Sequence, residues 1–269
     1  MNGIVININP VILRFADFEL RWYTVAIIVA VLSALIVAAK EGRKGGVPPD
    51  QIYFLMPWVL LFGLIGARLF HVIDQWEYYA ANPLQILQLQ QGGLAVWGAV
   101  VGGGIVAVVY ARLKRIPIGL LMDTLVPALL TAQIVGRIGC IINGDAYGGI
   151  TSLPWGFIYI HPEALIPRSL YGVSTHPYPV YEMIWNSAVL LALLRLRHKF
   201  NKDGLLFLSY LSLYSLGRFV LTFVRQKSMV LWELQQAQVL AIVTLIVSVA
   251  AFIYLFRKST YQTTVRRGT

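Results

Sequence analysis

The chain predicts an all-α polytopic membrane protein, and composition, hydropathy and the spacing of apolar runs carry that reading. Of its 269 residues 58% are hydrophobic and only 13% are charged, against about 25% charged in a soluble domain. Mean hydropathy is +0.69. Lys and Arg number 22 against 12 Asp and Glu, a formal net charge of +10. In a soluble domain such an excess points to nucleic acid. Here most cations fall in short connections between apolar runs, so a membrane and not a nucleic acid is the expected partner. The single cysteine, Cys140, excludes an intramolecular disulfide framework and any Cys-only metal site. The opening "MNGIVININP" lacks the basic stretch of a cleavable signal, so the first apolar run is expected to remain as a span.

Crossing about 30 Å of hydrocarbon takes about 20 mostly apolar residues as helix. Seven runs qualify, at about 22–39, 52–73, 93–111, 119–141, 180–196, 204–224 and 236–256. The first ends in the basic connection 40–51, with Lys40, Arg43 and Lys44. The second ends at "DQWEYYAANPLQILQLQQ" (74–91), which mixes aromatics, leucines and glutamines without a cation and reads as an interfacial amphipathic segment. The third carries Gly98, Gly102, Gly103 and Gly104, small residues that let helices approach closely, and ends at Arg112, Lys114 and Arg115. The fourth runs into the longest connection, 143–179, whose Gly, Pro and aromatic residues predict a small ordered cap. The fifth ends in the basic stretch 197–203, and the seventh at Arg257 and Lys258. The other side holds only Arg14, Arg21, Arg168, Arg225 and Lys227. Cytoplasmic loops carry the Lys/Arg excess, so the N-terminus is predicted outside and the C-terminus cytoplasmic, with one membrane domain over 1–269 and no repeat of fixed period.

Three arginines lie inside apolar runs. Arg68, Arg137 and Arg218 sit five, four and six residues before the predicted ends of the second, fourth and sixth spans. At 1.5 Å per residue those offsets are about 6–9 Å, which predicts one shared layer beneath the outer surface. A buried arginine is costly in a bilayer. One reading is three side chains reaching separately for headgroups. The sharper one is a shared basic pocket for an anionic group such as a lipid phosphate, which the planar guanidinium fork grips bidentately. Tyr23, Asn143, Asp145, Glu182, Tyr214 and His71 reach the same predicted layer. Singly, the tyrosines read as interfacial anchors and Asp145 and Glu182 as counterions. Cys140 reads as a small packing residue.

These residues form motifs that resemble the prolipoprotein diacylglyceryl transferases over nearly the whole chain. "RWY" (21–23) opens the first span and "GARLF" (66–70) ends the second. "NPLQIL" (82–87) and "QGGLAVWG" (91–98) lead into the third. "GRIGCIINGDAYG" (136–148), "HPYPVYE" (176–182) and "YSLGRFVLTFVR" (214–225) follow in the same order as in that family.

The resemblance implies transfer of a diacylglyceryl group from phosphatidylglycerol to the lipobox cysteine of a prolipoprotein signal peptide. A thioether forms, glycerol phosphate leaves, and no metal or organic cofactor is needed. It implies a multi-pass protein of the bacterial plasma (inner) membrane with its active site facing outward. Arg137 and Arg218 match the family's phosphate-binding and catalytic positions, Tyr23, Asn143, Gly148 and Tyr214 match further motif positions, and Arg68 lies inside the motif that ends the second span. The fit to chemistry is independent of the likeness: a thiolate attacks, charge grows on a departing phosphate, and preorganised guanidiniums stabilise it.

The chain departs from the pattern at four positions. Trp97 stands where a histidine is usual, Cys140 where asparagine is, Asp145 where glutamate is, and Thr222 where a glutamate is common one turn after Arg218. A general base is therefore dispensable, or is replaced by His71 or His176, or the chain is a divergent paralogue with another donor or acceptor. A membrane protein that binds or transports lipid without chemistry is the competing class.

Overall fold

The computed structural model describes residues 3–15, 18–88, 92–200, 202–225 and 235–267, so Lys227 and Gln91, named above, lie outside the described residues. The chain is mostly helical and divides into two compact units, residues 1–37 with 125–269, and residues 38–124.

Each predicted apolar run forms a helix: α1 (Trp22–Gly45), α2 (Pro49–Asp74), α4 (Val96–Leu113), α5 (Ile118–Asn143), α6 (Tyr178–Leu196), α7 (Leu205–Thr222) and α8 (Gln236–Arg267), with a short α3 (Trp76–Ala81) after α2. Six of them are long and apolar enough to cross a membrane: α1, α2, α4, α5, α7 and residues 237–258 of α8. The chain is thus a multi-pass membrane protein. Bare apolar side chains cover these helices, such as Ile36, Ile73, Val100 and Val247, as expected where lipid is the solvent.

Helix ends depart from the apolar boundaries for local reasons. α1 runs past Lys40 to Gly45 because Arg43 and Lys44 in its last turn favour the negative end of the helix dipole, and Lys44 pairs with Glu41 at 2.6 Å. α2 begins with Pro49 in its first turn, where a missing N–H costs nothing, and with Asp50 beside it. Gly204, at φ +93°, turns the chain into α7.

In the 38–124 unit, α2 packs along α4 through glycine. A Cβ on Gly98 would stand 2.6 Å from Phe70 Cβ, and one on Gly102 would stand 3.4 Å from Gly66 Cα. Gly103 meets Val59 at 3.3 Å, whereas Gly104 faces open space. The predicted packing role thus holds for three of the four glycines. The segment between these helices forms α3 and a 3-10 turn over Pro83–Leu87, with Trp76, Leu84 and Leu87 exposed.

The other unit has a helical core of Val126 and Leu130 on α5, Val189 and Leu193 on α6, and Leu206 and Tyr210 on α7. α7 packs along α6 and α8. Gly217 lies beneath the Trp185 indole, whose Nε1 donates to the Leu213 carbonyl at 3.0 Å.

This unit also holds short strands that the all-α reading did not anticipate. They are β1 (Ile4–Ile6), β2 (Val11–Phe15), β3 (Phe18–Arg21), β4 (Phe157–Tyr159) and β5 (Ser174–Thr175). β1 runs parallel to β4 with Ile4 opposite Phe157, β5 pairs antiparallel to β4, and β2 and β3 form an antiparallel hairpin. Phe157, Tyr159, Ile166 and Leu170 pack into a core of their own beneath the sheet. Tyr159 donates to the Ile141 carbonyl at 2.9 Å, tying this core to the end of α5.

Candidate active site

The site grows from the meeting of α5, α6 and α7. Glu182, one turn into α6, is buried, with 7% of its side chain accessible. Its Oε2 lies 2.5 Å from Arg137 Nη2 on α5 and its Oε1 lies 2.6 Å from Arg218 Nη1 on α7. The Arg218 contact is also a well-formed hydrogen bond. The Arg137 contact is an ion pair without hydrogen-bond alignment, since Oε2 has no hydrogen-bonding partner. One carboxylate therefore bridges guanidiniums carried by two other helices. Arg137 and Arg218 keep 26% and 23% of their side chains accessible, so their free edges can reach a further ligand.

Tyr178, fully buried in the first turn of α6, completes the bridge. Its hydroxyl accepts from Arg218 Nη1 and donates to Glu182 Oε1, both at 3.1 Å. The guanidinium of Arg225 lies over the Tyr178 ring, 5.3 Å from its centroid. Burial and the like charges of Arg218 and Arg137 hold Arg225 below the ordinary arginine value. Sequence reasoning counted Arg225 only as a loop cation and gave Tyr178 no role. The signal was present: Arg225 stands seven residues, two helical turns, beyond Arg218, on nearly the same face.

The other predicted residues are placed as follows. Cys140, buried and free, accepts from Arg137 Nη1 through its sulfur at 3.7 Å. Tyr23 packs on α5 where Gly139 leaves room, a Cβ there lying 3.2 Å from Tyr23 Cα. Asn143 is buried and accepts from Arg21 Nη1 at 3.4 Å, while its main-chain carbonyl accepts from Leu165 N at 2.9 Å. Arg21 is thus a second loop cation turned inward.

Asp145 makes no ion pair among the described residues. Burial pushes its carboxyl above the ordinary carboxylate value, and the Asn143 side chain and the Arg137 and Arg225 charges pull it back. Gly148 donates to the His176 carbonyl at 3.0 Å, and a Cβ there would meet His176 Cβ at 2.6 Å and the Val224 carbonyl at 2.9 Å. Glycine at 148 is therefore what lets this loop dock on His176, just before α6, and on Val224, just after α7. Tyr214 packs with Tyr210, ring centroids 5.8 Å apart. His176 Nδ1 lies 3.2 Å from Tyr181 Oη, which accepts from Trp155 Nε1 at 3.0 Å. Thr222 turns its hydroxyl back to the Arg218 carbonyl at 2.5 Å and supplies no charge.

Arg68 belongs to the 38–124 unit. Its guanidinium donates to main-chain carbonyls at Ile86 (2.8 Å), Gly92 (2.7 Å), Gly93 (3.0 Å), Gln85 (2.5 Å) and Gln88 (3.5 Å). It also stacks on Tyr79, 5.1 Å from the ring centroid. An arginine has five N–H donors, and all are engaged, so Arg68 here organises the loop ahead of α4 and presents no free edge to a phosphate. His71 packs edge-on against Tyr79 in the same cluster, 5.8 Å between centroids. Trp97, in the first turn of α4, is exposed.

A family profile for prolipoprotein diacylglyceryl transferase matches residues 10–254. The phosphatidylglycerol–prolipoprotein diacylglyceryl transferase of Lactiplantibacillus plantarum is 36% identical over 258 residues, 94% of this chain and 92% of that one. Those of Clostridioides difficile and Bacillus cytotoxicus are 33% and 35% identical, covering 90% and 96% of this chain and 93% and 95% of theirs. With a bridged arginine pair at the motif positions and likeness along almost its whole length, the chain belongs to the prolipoprotein diacylglyceryl transferase family.

Proposed function

We propose that this chain transfers a diacylglyceryl group from phosphatidylglycerol to the thiol of a prolipoprotein's lipobox cysteine. It is a transferase by family, and the relatives' names supply the donor and the acceptor. The observation that carries the mechanism is the single buried carboxylate shared by Arg137 and Arg218. With Arg225 beside them, cationic charge exceeds anionic charge, and the accessible edges of both forks await an anion. A lipid phosphate fits them in charge and geometry.

In the reaction the acceptor thiol gives up its proton and its sulfur attacks the terminal glyceryl carbon of the donor. The carbon–sulfur bond forms as the carbon–oxygen bond to phosphate breaks, and glycerol phosphate leaves with the bonding electrons. Arg137 and Arg218 stabilise the growing charge because they are already oriented and need no reorganisation. Tyr23, Asn143, Asp145, Gly148 and Tyr214 shape the same pocket, and Glu182 holds the pair in place. Arg68 acts at one remove, by setting the loop that leads to Trp97.

α6 is the seventh span in this reading. It has 19 residues, about 28 Å of helix, close to the hydrocarbon thickness. It falls short in apolarity because it carries the site's carboxylate and Asn186. The basic connections support a cytoplasmic C-terminus, with the site towards the outer face of the bacterial plasma membrane and the sheet with residues 143–179 as a cap over it.

The test is incubation of membranes holding the full chain with labelled phosphatidylglycerol and a lipobox peptide. Label on the peptide thiol is expected. No label, beside an active positive control, removes the transferase reading.

A further inference from the structure

Tyr178 lies inside "HPYPVYE" (176–182), one helical turn before Glu182. Thr222 stands where a glutamate is common one turn after Arg218, and its hydroxyl bonds its own helix. Arg218 has no acidic partner on α7, and among the described residues its two side-chain acceptors both come from α6: Glu182 Oε1 at 2.6 Å and Tyr178 Oη at 3.1 Å. Because Tyr178 also donates to that same Oε1 at 3.1 Å, the three groups close a triangle that fixes the direction of the Arg218 fork. The phenol is fully buried, so water does not compete for either bond.

The ring does a second task. Arg225 follows the end of α7, its backbone held by its own N–H on the Thr222 carbonyl at 3.0 Å and by Gln235 Nε2 on its carbonyl at 2.8 Å. Among the described residues its guanidinium has no carboxylate and no hydrogen-bond partner. The guanidinium lies over the Tyr178 ring face, 5.3 Å from its centroid. This half-buried cation is repelled by Arg218 and Arg137, and the aromatic face attracts it.

We propose that Tyr178 is a positioning residue of the donor-phosphate site, its hydroxyl aiming Arg218 and its ring holding Arg225 as a third cation for the lipid phosphate. This rests on the transferase reading. The hydroxyl acts on the guanidinium that meets developing charge, so its loss lowers turnover. The ring acts on a cation that meets the donor's resting charge, so its loss weakens donor binding.

The experiment compares the full-length protein with its Tyr178→Phe, Tyr178→Leu and Arg225→Met variants in vesicles containing phosphatidylglycerol. It measures kcat, KM for the lipid, and retention of labelled phosphatidylglycerol by the purified proteins. Tyr178→Phe should lower kcat roughly 10- to 100-fold, the size of a hydrogen bond to a charged group, with KM unchanged. Tyr178→Leu should show the same fall in kcat and raise KM by about 3- to 10-fold, the scale of a cation–π contact. Arg225→Met should raise KM in the wild-type background and add nothing further to Tyr178→Leu.

Wild-type kcat in Tyr178→Phe, or independent effects of Tyr178→Leu and Arg225→Met on KM, would overturn the proposal. Should Tyr178→Leu fail to fold, the near-isosteric Phe variant and Arg225→Met carry the test. A wild-type protein that retains phosphatidylglycerol but transfers nothing would sink the transferase reading alone. Tyr178 would then still be judged by retention, expected to fall in the Leu variant and hold in the Phe variant.

Discussion

Replacing Glu182 by glutamine keeps the shape of the site and deletes the one charge that joins two arginines. Each ion pair is worth about 4 kcal/mol for charges about 4 Å apart at an effective dielectric of 20. Desolvation of the three groups, several kcal/mol per ion, offsets most of the total. Removing one partner of a buried pair typically costs 3–5 kcal/mol, because the other charge is left uncompensated. Here the stranded arginines keep 26% and 23% of their side chains accessible and can draw in water. The lower end, about 3 kcal/mol, is therefore expected. At about 2–4 °C per kcal/mol for a chain of this size, the unfolding midpoint should fall by about 6–12 °C. Turnover should fall further than stability, on the order of 100-fold, because a fork displaced by about an ångström is no longer aligned with the charge that develops during transfer. Retention of phosphatidylglycerol should persist, since the pocket becomes more cationic. Thermal unfolding in detergent followed by intrinsic fluorescence, beside the labelled transfer assay, reads both quantities. A midpoint and a turnover both at the wild-type level would refute the bridge as the organiser of the site.

Three further expectations follow from other parts of the molecule. Arg137→Lys and Arg218→Lys should each impair turnover severely while leaving charge intact, because an ammonium cannot present the planar fork; the labelled transfer assay measures this. Gly66→Val should prevent α2 from packing on α4, since a Cβ at Gly66 already meets the Gly98 main chain, 3.1 Å from its carbonyl carbon. The expected result is loss of folded protein by size-exclusion profile, with Gly104→Ala, at a position facing open space, as the tolerated control. Asp145→Asn tests a pH dependence. The folded-state value of Asp145 is raised, so its contribution is fully favourable below the unfolded carboxylate value of about 3.9 and is lost as pH rises through the folded value. The asparagine variant should thus unfold at a slightly higher temperature than wild type at neutral pH. That gain should vanish at about pH 4 and below, and it should be small because Asp145 is exposed.

Hydropathy alone located every long helix, because about 20 apolar residues between charges have few other uses. It missed the ends, where Arg43 and Lys44 extend α1 through the helix dipole rather than through apolarity. It also missed the strands. β1, β4 and β5 are two or three residues long, too short for alternation to register, and each depends on a partner distant in sequence. The arginine pair was legible from depth, because spans running the same way place equal offsets at equal heights. Depth could not tell Arg137 and Arg218 from Arg68, because the carbonyls that occupy Arg68 belong to a loop whose backbone turns at Gly92 and Gly93, both with positive φ. Arg225 was legible in its seven-residue offset from Arg218, whereas Tyr178 was hidden because a ring beneath a cation leaves no spacing signature between segments so far apart.

The account stands or falls on where the donor's phosphate rests. A structure of the full chain with phosphatidylglycerol bound should place phosphate oxygens about 2.7–2.9 Å from guanidinium nitrogens of Arg137 and Arg218, with Arg225 alongside and Glu182 still bridging. A headgroup held elsewhere, with both forks closed on Glu182 alone, would contradict it.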